Sequence, residues 1–226
     1  MRILKQILAT AALCGMAFVA TTAGAAPANP VSGVEYQTLP TPQPTDTGKK
    51  IEVIEFFAYW CPHCNAFDPS LSAWVKKQGD TIVFKRVHVP YNEGTQPQQK
   101  LYFALEAMGL VEQYQAKVFH AMHVERNRFT RDEQVFDWIE KNGIDRKKFT
   151  DAYNSFGVQA KLRRADKMMD EYKIDSWPMI IVDGRYQSSP HLAGKGLPNA
   201  SGEAELQNGA LQVMDFLVAK AKAEKK

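Results

Sequence analysis

Cysteine is scarce in this chain, with three in 226 residues. Cys14 lies in an apolar run near the start, and the other two, Cys61 and Cys64, sit three positions apart. A loop that short hardly restrains an unfolded chain, so no disulfide framework can be holding the fold. There is no second Cys-x-x-Cys to make up the two separated pairs that a structural zinc site normally uses. Charge excess of one sign is also missing, with 28 Lys and Arg against 25 Asp and Glu, a formal +3. Loss of Arg2 and Lys5 with a leader would leave 3 − 2 = +1. A near-neutral chain has no electrostatic case for binding nucleic acid. After the first run, no stretch is apolar enough to span a membrane.

That first run has the form of an export signal. Arg2 and Lys5 give a basic start, Ile7 to about Ala20 is apolar, and Ala23 and Ala25 make an A-x-A close. Residues 1–25 are therefore expected to be a signal peptide cleaved after Ala25. The competing reading is a membrane anchor, but the run is shorter than the roughly 20 residues a spanning helix needs. Leu13 precedes Cys14 where a lipoprotein signal wants a small residue, so Cys14 is expected to leave with the leader. Export implies an oxidising compartment. In that setting a lone close pair of cysteines reads as a tool and not a staple.

Beyond a Pro-, Gly- and Thr-rich arm with one short strand near Val34–Leu39, residues Ile51–Tyr59 (IEVIEFFAY) form the strongest strand signal. Its near-continuous apolar run predicts burial on both faces. A helix follows from Cys61 to about Gln78, kinked at Pro69 and stopped at Gly79, and then a strand over Thr81–Val89. From Pro97 to Tyr172 the period is helical. Gly109 and Gly143 act as stops, Thr130-Arg131-Asp132-Glu133 has a capping-box pattern, and Asp145 is a cap. Met179–Val182, Asp183-Gly184 and Arg185–Gln187 predict a hairpin, and a last helix is expected from about Glu203 to Ala221. The fold class is α/β. It divides into residues 26–95 and 173–226 as two parts of one β-containing domain, separated by an all-helical insertion at 96–172.

The chemistry is carried by Cys61-Pro62-His63-Cys64, set between a buried strand and a helix. A first helical turn presents unpaired N–H groups and the positive end of the dipole, which stabilise a thiolate at Cys61. His63 adds a donor or a positive charge. Cysteine pKa values in such settings fall to roughly 3.5–7.5. Only the reduced protein holds the thiolate, so stabilising it makes the disulfide form the stronger oxidant. Cys64, one turn further in, is expected to be shielded and to close the ring again. A zinc site and an inert disulfide are the alternatives for the same residues.

The segment Glu55-Phe56-Phe57-Ala58-Tyr59-Trp60-Cys61-Pro62-His63-Cys64 resembles the active-site stretch of the DsbA family of periplasmic disulfide oxidases. The similarity continues through Arg86-Val87-His88-Val89, the helical segment, Asn154-Ser155-Phe156 and the hairpin after Pro178. The low end of the roughly 3.5–7.5 range of cysteine pKa values is itself a value from this family. The resemblance implies a thioredoxin fold with an inserted all-helical domain, and a cis peptide at Pro178 beside Cys61. It implies no cofactor beyond the Cys61–Cys64 disulfide. The implied partners are reduced exported proteins as substrates and a DsbB-like membrane quinone reductase as reoxidant, docking at Cys61 and Pro178. Trp177 departs from the family, which usually carries Val or Thr there, and so bears on substrate contact.

Glu55 is an acid amid apolar neighbours and needs a partner if buried. Arg86 on the neighbouring strand is the expected one. By resemblance the pair handles the proton of Cys64, and a purely structural ion pair is the alternative. His88 is expected to be a core histidine, while His120 and His123 read as surface or packing residues. Trp74, Trp138, Met168 and Met169 read as packing. No dimerisation region is visible, so a monomer is expected. A disulfide isomerase or reductase, or a peptide-binding chaperone with incidental thiols, stand as the other functional readings.

Overall fold

The computed structural model describes residues 29–197, 199–200 and 202–225. The expected leader, its cleavage point at Ala25 and Cys14 lie outside these. Five strands make one mixed sheet: β1 (Gln37–Thr38), β2 (Ile51–Phe57), β3 (Ile82–His88), β4 (Met179–Val182) and β5 (Tyr186–Ser188), in the order β1-β5-β4-β2-β3. β2 runs parallel to β3 and antiparallel to β4. Helix α1 (Pro62–Gln78) connects the parallel pair, as a crossover must. Five helices come between β3 and β4: α2 (Gln96–Ala107), α3 (Val111–His123), α4 (Asp132–Lys141), α5 (Arg146–Tyr153) and α6 (Phe156–Glu171). Short α7 (Pro190–Gly194) and long α8 (Glu203–Glu224) close the chain.

All seven residues of β2 are buried. The two-residue period of a strand divides them between two cores. Ile51 and Val53 pack with Phe67 and Leu71 of α1 and Val213 and Leu217 of α8. Ile54 and Phe56 face the other way, into a larger cluster with Leu101, Phe149, Leu162 and Tyr172. Each such side chain contributes about 1.5–3 kcal/mol when fully buried. That larger cluster runs without interruption from the sheet into the helical segment, which is thereby fixed relative to β2. By the same period Glu55 falls on the α1 side, beneath the first turn of that helix.

The turn chemistry follows the sequence. Asp183 (φ 51°) and Gly184 (φ 64°) both take positive φ, as the central pair of a tight turn in which the Arg185 amide donates to the Val182 carbonyl at 3.1 Å. Gly184 is required there, because a Cβ would come 2.2 Å from the Gln43 carbonyl oxygen. Asp145 caps α5 by accepting from the Lys148 amide at 2.9 Å.

Several expectations need correction. The early strand shrinks to Gln37–Thr38, the residues that pair in register with β5, while Tyr36 makes an isolated bridge to Ser32. The strand expected over 185–187 lies one residue later, since Arg185 still belongs to the turn. Helix α1 continues past Pro69 to Gln78. At α4 the capping acceptor is Gln134, which takes the Thr130 and Arg131 amides at 3.0 and 3.2 Å. Glu133 pairs with Arg146 instead. Helix α7 has no counterpart in the sequence reading, and α8 extends past Ala221 to Glu224.

Candidate active site

Cys61 is the N-cap of α1, in extended backbone, and its Sγ accepts the Cys64 amide at 3.4 Å. Pro62 fills the first helical turn, where its missing N–H costs nothing. Both cysteines are free thiols and both are buried, Cys61 at 3% exposure and Cys64 at zero. The Cys61 thiol is lowered from 9.0 to about 7. The largest cause is a hydrogen bond from the Cys64 thiol, and the amides of Cys64 and His63 and the His63 charge add to it against the effect of burial. Cys64 is pushed well above the ordinary range by burial first, then by Cys61 and by the negative charge of Glu55. The two sulfurs are thus made unequal: one ionises near neutrality and the other keeps its proton.

Beneath Cys64 lies a buried nest of charge. Glu55 stands opposite Arg86 in the β2–β3 register, and Arg86 Nε donates to Glu55 Oε2 at 2.7 Å. The same guanidinium donates to Asp68 Oδ1 at 3.0 Å and to Ser72 Oγ at 3.3 Å. Gln115 donates to Asp68 at 3.5 Å and accepts from the Tyr59 hydroxyl at 2.8 Å. One cation therefore faces two buried carboxyls. Burial raises the Glu55 carboxyl to about 7, with Arg86 pulling it down and Asp68 adding to the rise. Asp68 is raised as well, again chiefly by burial. A group able to hold or release a proton near neutrality thus sits next to the thiol that does not ionise.

The mouth of the site is built from distant segments. The Cys61 thiol donates to the Trp177 carbonyl at 3.7 Å, and the Trp177–Pro178 peptide is cis. The indoles of Trp60 and Trp177 meet edge-on at 5.4 Å, and the exposed Tyr91 ring packs on Trp60 at 5.0 Å. His63 Nδ1 lies 2.7 Å from Glu203 Oε1 at the start of α8, and that contact raises the His63 pKa. A cavity of roughly 500 Å³ opens here, lined by His63, Trp177, Pro178, Ser189, Glu203 and Leu206 among others. Among the described residues, no group of three or more His, Cys, Asp or Glu could hold a metal ion.

Residues 52–200 match the family model of the DSBA-like thioredoxin domain. The chain belongs to that family. It is 38% identical over 223 residues to the thiol:disulfide interchange protein DsbA of Burkholderia cepacia, covering 98% of this chain and all of that one. The corresponding Pseudomonas aeruginosa protein (strain PAO1) is 31% identical over 224 residues, covering 99% and 98% of the two chains. The crystal structure of Pseudomonas aeruginosa DsbA aligns with a TM-score of 0.76 at 30% identity, covering 85% of this chain and 94% of that one. Neisseria meningitidis NmDsbA1 aligns at 0.71 and 26%, covering 86% and 95%. The fold is accordingly a thioredoxin fold carrying a helical insertion, and the protein is a thiol:disulfide oxidoreductase.

Within this DSBA-like frame, the residues singled out from sequence fall into one neighbourhood. Cys61, Pro62, His63 and Cys64 open α1, Trp177 and Pro178 abut Cys61, and Glu55 and Arg86 lie below. His88 is fully buried, accepts the Tyr59 amide at 3.0 Å and donates to the Val89 carbonyl at 3.1 Å, and burial drives its pKa to about 3. It is a neutral core histidine. His120 stays at the surface beside Glu125, but His123 reaches the Tyr59 carbonyl at 2.8 Å. Asp68, Gln115, Glu203 and Tyr91 escaped the sequence reading. Only Asp68 left a signal, being an acid four residues after Cys64 and therefore on the same helix face.

Proposed function

We propose that this protein donates its Cys61–Cys64 disulfide to reduced exported polypeptides. A substrate thiolate attacks Cys61 Sγ, the Cys61–Cys64 bond breaks, and Cys64 leaves with a proton supplied from the Glu55 carboxyl. The substrate's second thiolate then attacks its own sulfur in the mixed disulfide, and Cys61 leaves as a thiolate. The substrate loses two electrons as its disulfide forms, and the protein's disulfide gains them. The geometry supports these roles. Cys61 is the attacked and leaving sulfur because it is stabilised as an anion, and Cys64 is the resolving thiol because its proton is held. His63 adds positive charge at the mouth. Pro178 and Trp177 provide backbone and ring surface against which an extended substrate lies. Arg86 keeps Glu55 positioned while Asp68 shares its charge.

The observation that carries this reading is the Cys61 Sγ at the start of α1, accepting the Cys64 amide at 3.4 Å. The leader pattern and the family support a periplasmic location, a DsbB-like membrane quinone reductase as reoxidant, action as a monomer and no cofactor other than the disulfide. We read residues 26–95 and 173–226 as the thioredoxin-like domain and 96–172 as its insertion. The test is equilibration of the purified protein against glutathione buffers. An oxidase stays reduced in fairly oxidising mixtures, whereas a potential as low as that of thioredoxin, about −270 mV, reverses the direction assigned here.

A further inference from the structure

Beside the active site lies a second cavity, of about 530 Å³, that the redox chemistry leaves unused. Its lining includes Trp60, Gln98, His123, Arg126, Asn127 and Arg128, and among the described residues no acidic one lines it. Trp60 immediately precedes Cys61 and packs on Trp177, so this wall is continuous with the mouth of the redox site. Two buried polar atoms among its lining residues, Trp60 Nε1 and Gln98 Oε1, have no hydrogen-bond partner among the described residues. Gln98 is 3% exposed and its own amide nitrogen is anchored on the Arg128 carbonyl at 2.9 Å. Buried orphans of this kind are uncommon, and each calls for a partner.

The rim carries the charge. Arg126 and Arg128 are exposed, and among the described residues neither guanidinium has an ion-pair or hydrogen-bond partner. The acid nearest in sequence, Glu125, is occupied by His120 at 3.4 Å and Asn127 at 3.1 Å. The loop is not a loose end. Arg126 and Phe129 hold positive φ (63° and 45°), Asn127 donates to the Ala121 carbonyl at 2.9 Å, and Phe129 is buried. Non-glycine residues held in this region persist only where the surroundings fix them, and they cluster at binding and catalytic sites.

We propose that this cavity is a subsite for an acidic segment of the polypeptide whose thiol reacts at Cys61. The segment's carboxylate meets Arg126 and Arg128, and its chain lies along the wall that Trp60 forms. The proposal rests on the disulfide-donor reading and adds a substrate preference to it. Trp60, the residue next to Cys61, lines the cavity, so the acid belongs near the reacting cysteine.

The test compares two synthetic dithiol peptides differing only by Glu against Gln beside the reactive cysteine. Each is mixed with the oxidised full-length protein, and second-order rate constants are read from the change in tryptophan fluorescence. In each reaction the peptide loses two electrons and two protons and closes its disulfide, while Cys61–Cys64 accepts them. The acidic peptide is expected to react about fivefold faster at low salt, an advantage of the size that one or two partly exposed ion pairs supply. The advantage should vanish at high salt. It should fall below unity in the charge-reversed variant Arg126→Glu, Arg128→Glu. Should that variant fail to fold, the salt series on the unaltered protein decides alone. Equal rates for the two peptides at low salt overturn the subsite and leave the disulfide chemistry standing. Failure to oxidise either peptide overturns the redox reading, and the subsite's role with it.

Discussion

Raising the pH through the Cys61 titration should change how strongly the protein oxidises, by an amount set by the geometry at the start of α1. Cys61 ionises at about 7 instead of 9.0, and only the reduced protein carries that thiolate. Below the break, reduction takes up two protons with two electrons, and the potential falls by about 59 mV per pH unit. Above it, one thiol stays ionised, and the slope halves to about 30 mV per unit. Against a thiol of ordinary pKa, the gain at pH 7 is only RT ln 2, about 0.4 kcal/mol or roughly 9 mV. At pH 8 it reaches at most about 1.4 kcal/mol, roughly 30 mV, with solvent screening at the helix mouth reducing it. The assay is redox equilibrium against glutathione, read by tryptophan fluorescence across a pH series, beside thiolate absorbance of the reduced protein. Both should break together near 7. A break near 9 refutes the argument, because the hydrogen bond from Cys64 and the helix-start amides would then be doing nothing to the sulfur. A break far below 7 would mean that the His63 charge or the dipole outweighs the contacts named here.

Three further outcomes are expected. Burial raises Glu55 from 4.5 to about 7, so its contribution to stability is whole below 4.5 and is lost as pH rises through about 7. Glu55→Gln should therefore lose less stability between about pH 5 and pH 8, by on the order of 2 kcal/mol in urea unfolding. An identical pH dependence in variant and parent would sink that argument. Glu203→Gln removes the contact that raises His63. The His63 ring protons should then titrate lower by NMR, with stability changed by under about 0.5 kcal/mol, as for exposed ion pairs; an unmoved titration would show that the pair does not form in solution. Gly184→Ala puts a Cβ 2.2 Å from the Gln43 carbonyl oxygen at φ 64°. It should cost about 1–3 kcal/mol, and an unchanged urea midpoint would contradict it.

What could be read from the chain alone was local. The buried run of β2, the stop at Gly109, the Asp145 cap, the Asp183-Gly184 turn and the Cys61-Pro62-His63-Cys64 entry to a helix each depend on residues within about one helical turn or one strand of one another. The Glu55–Arg86 pair was legible because a buried acid needs a cation and Arg86 lies on the neighbouring strand. The same logic failed at α4. Glu133 looked like the capping acid, but Arg146, thirteen residues further on, holds it together with Asp137 and Glu140. Gln134 was left to take the free amides.

The sequence by itself determined that two cysteines would begin a helix after a buried strand, a setting that favours thiol–disulfide exchange. Only the tertiary structure decided what surrounds them. Asp68 joins Glu55 on one guanidinium because α1 lies across β3, and Glu203 meets His63 across 140 positions of chain. Trp60, Tyr91 and Trp177 share one aromatic wall because the segments after β2 and β3 and before β4 meet at the same end of the strands. Hydrogen bonds and dipoles along a helix are fixed by neighbours in sequence. The desolvation and pairing that set the pKa of a buried acid or thiol depend on groups brought together only when the chain closes on itself.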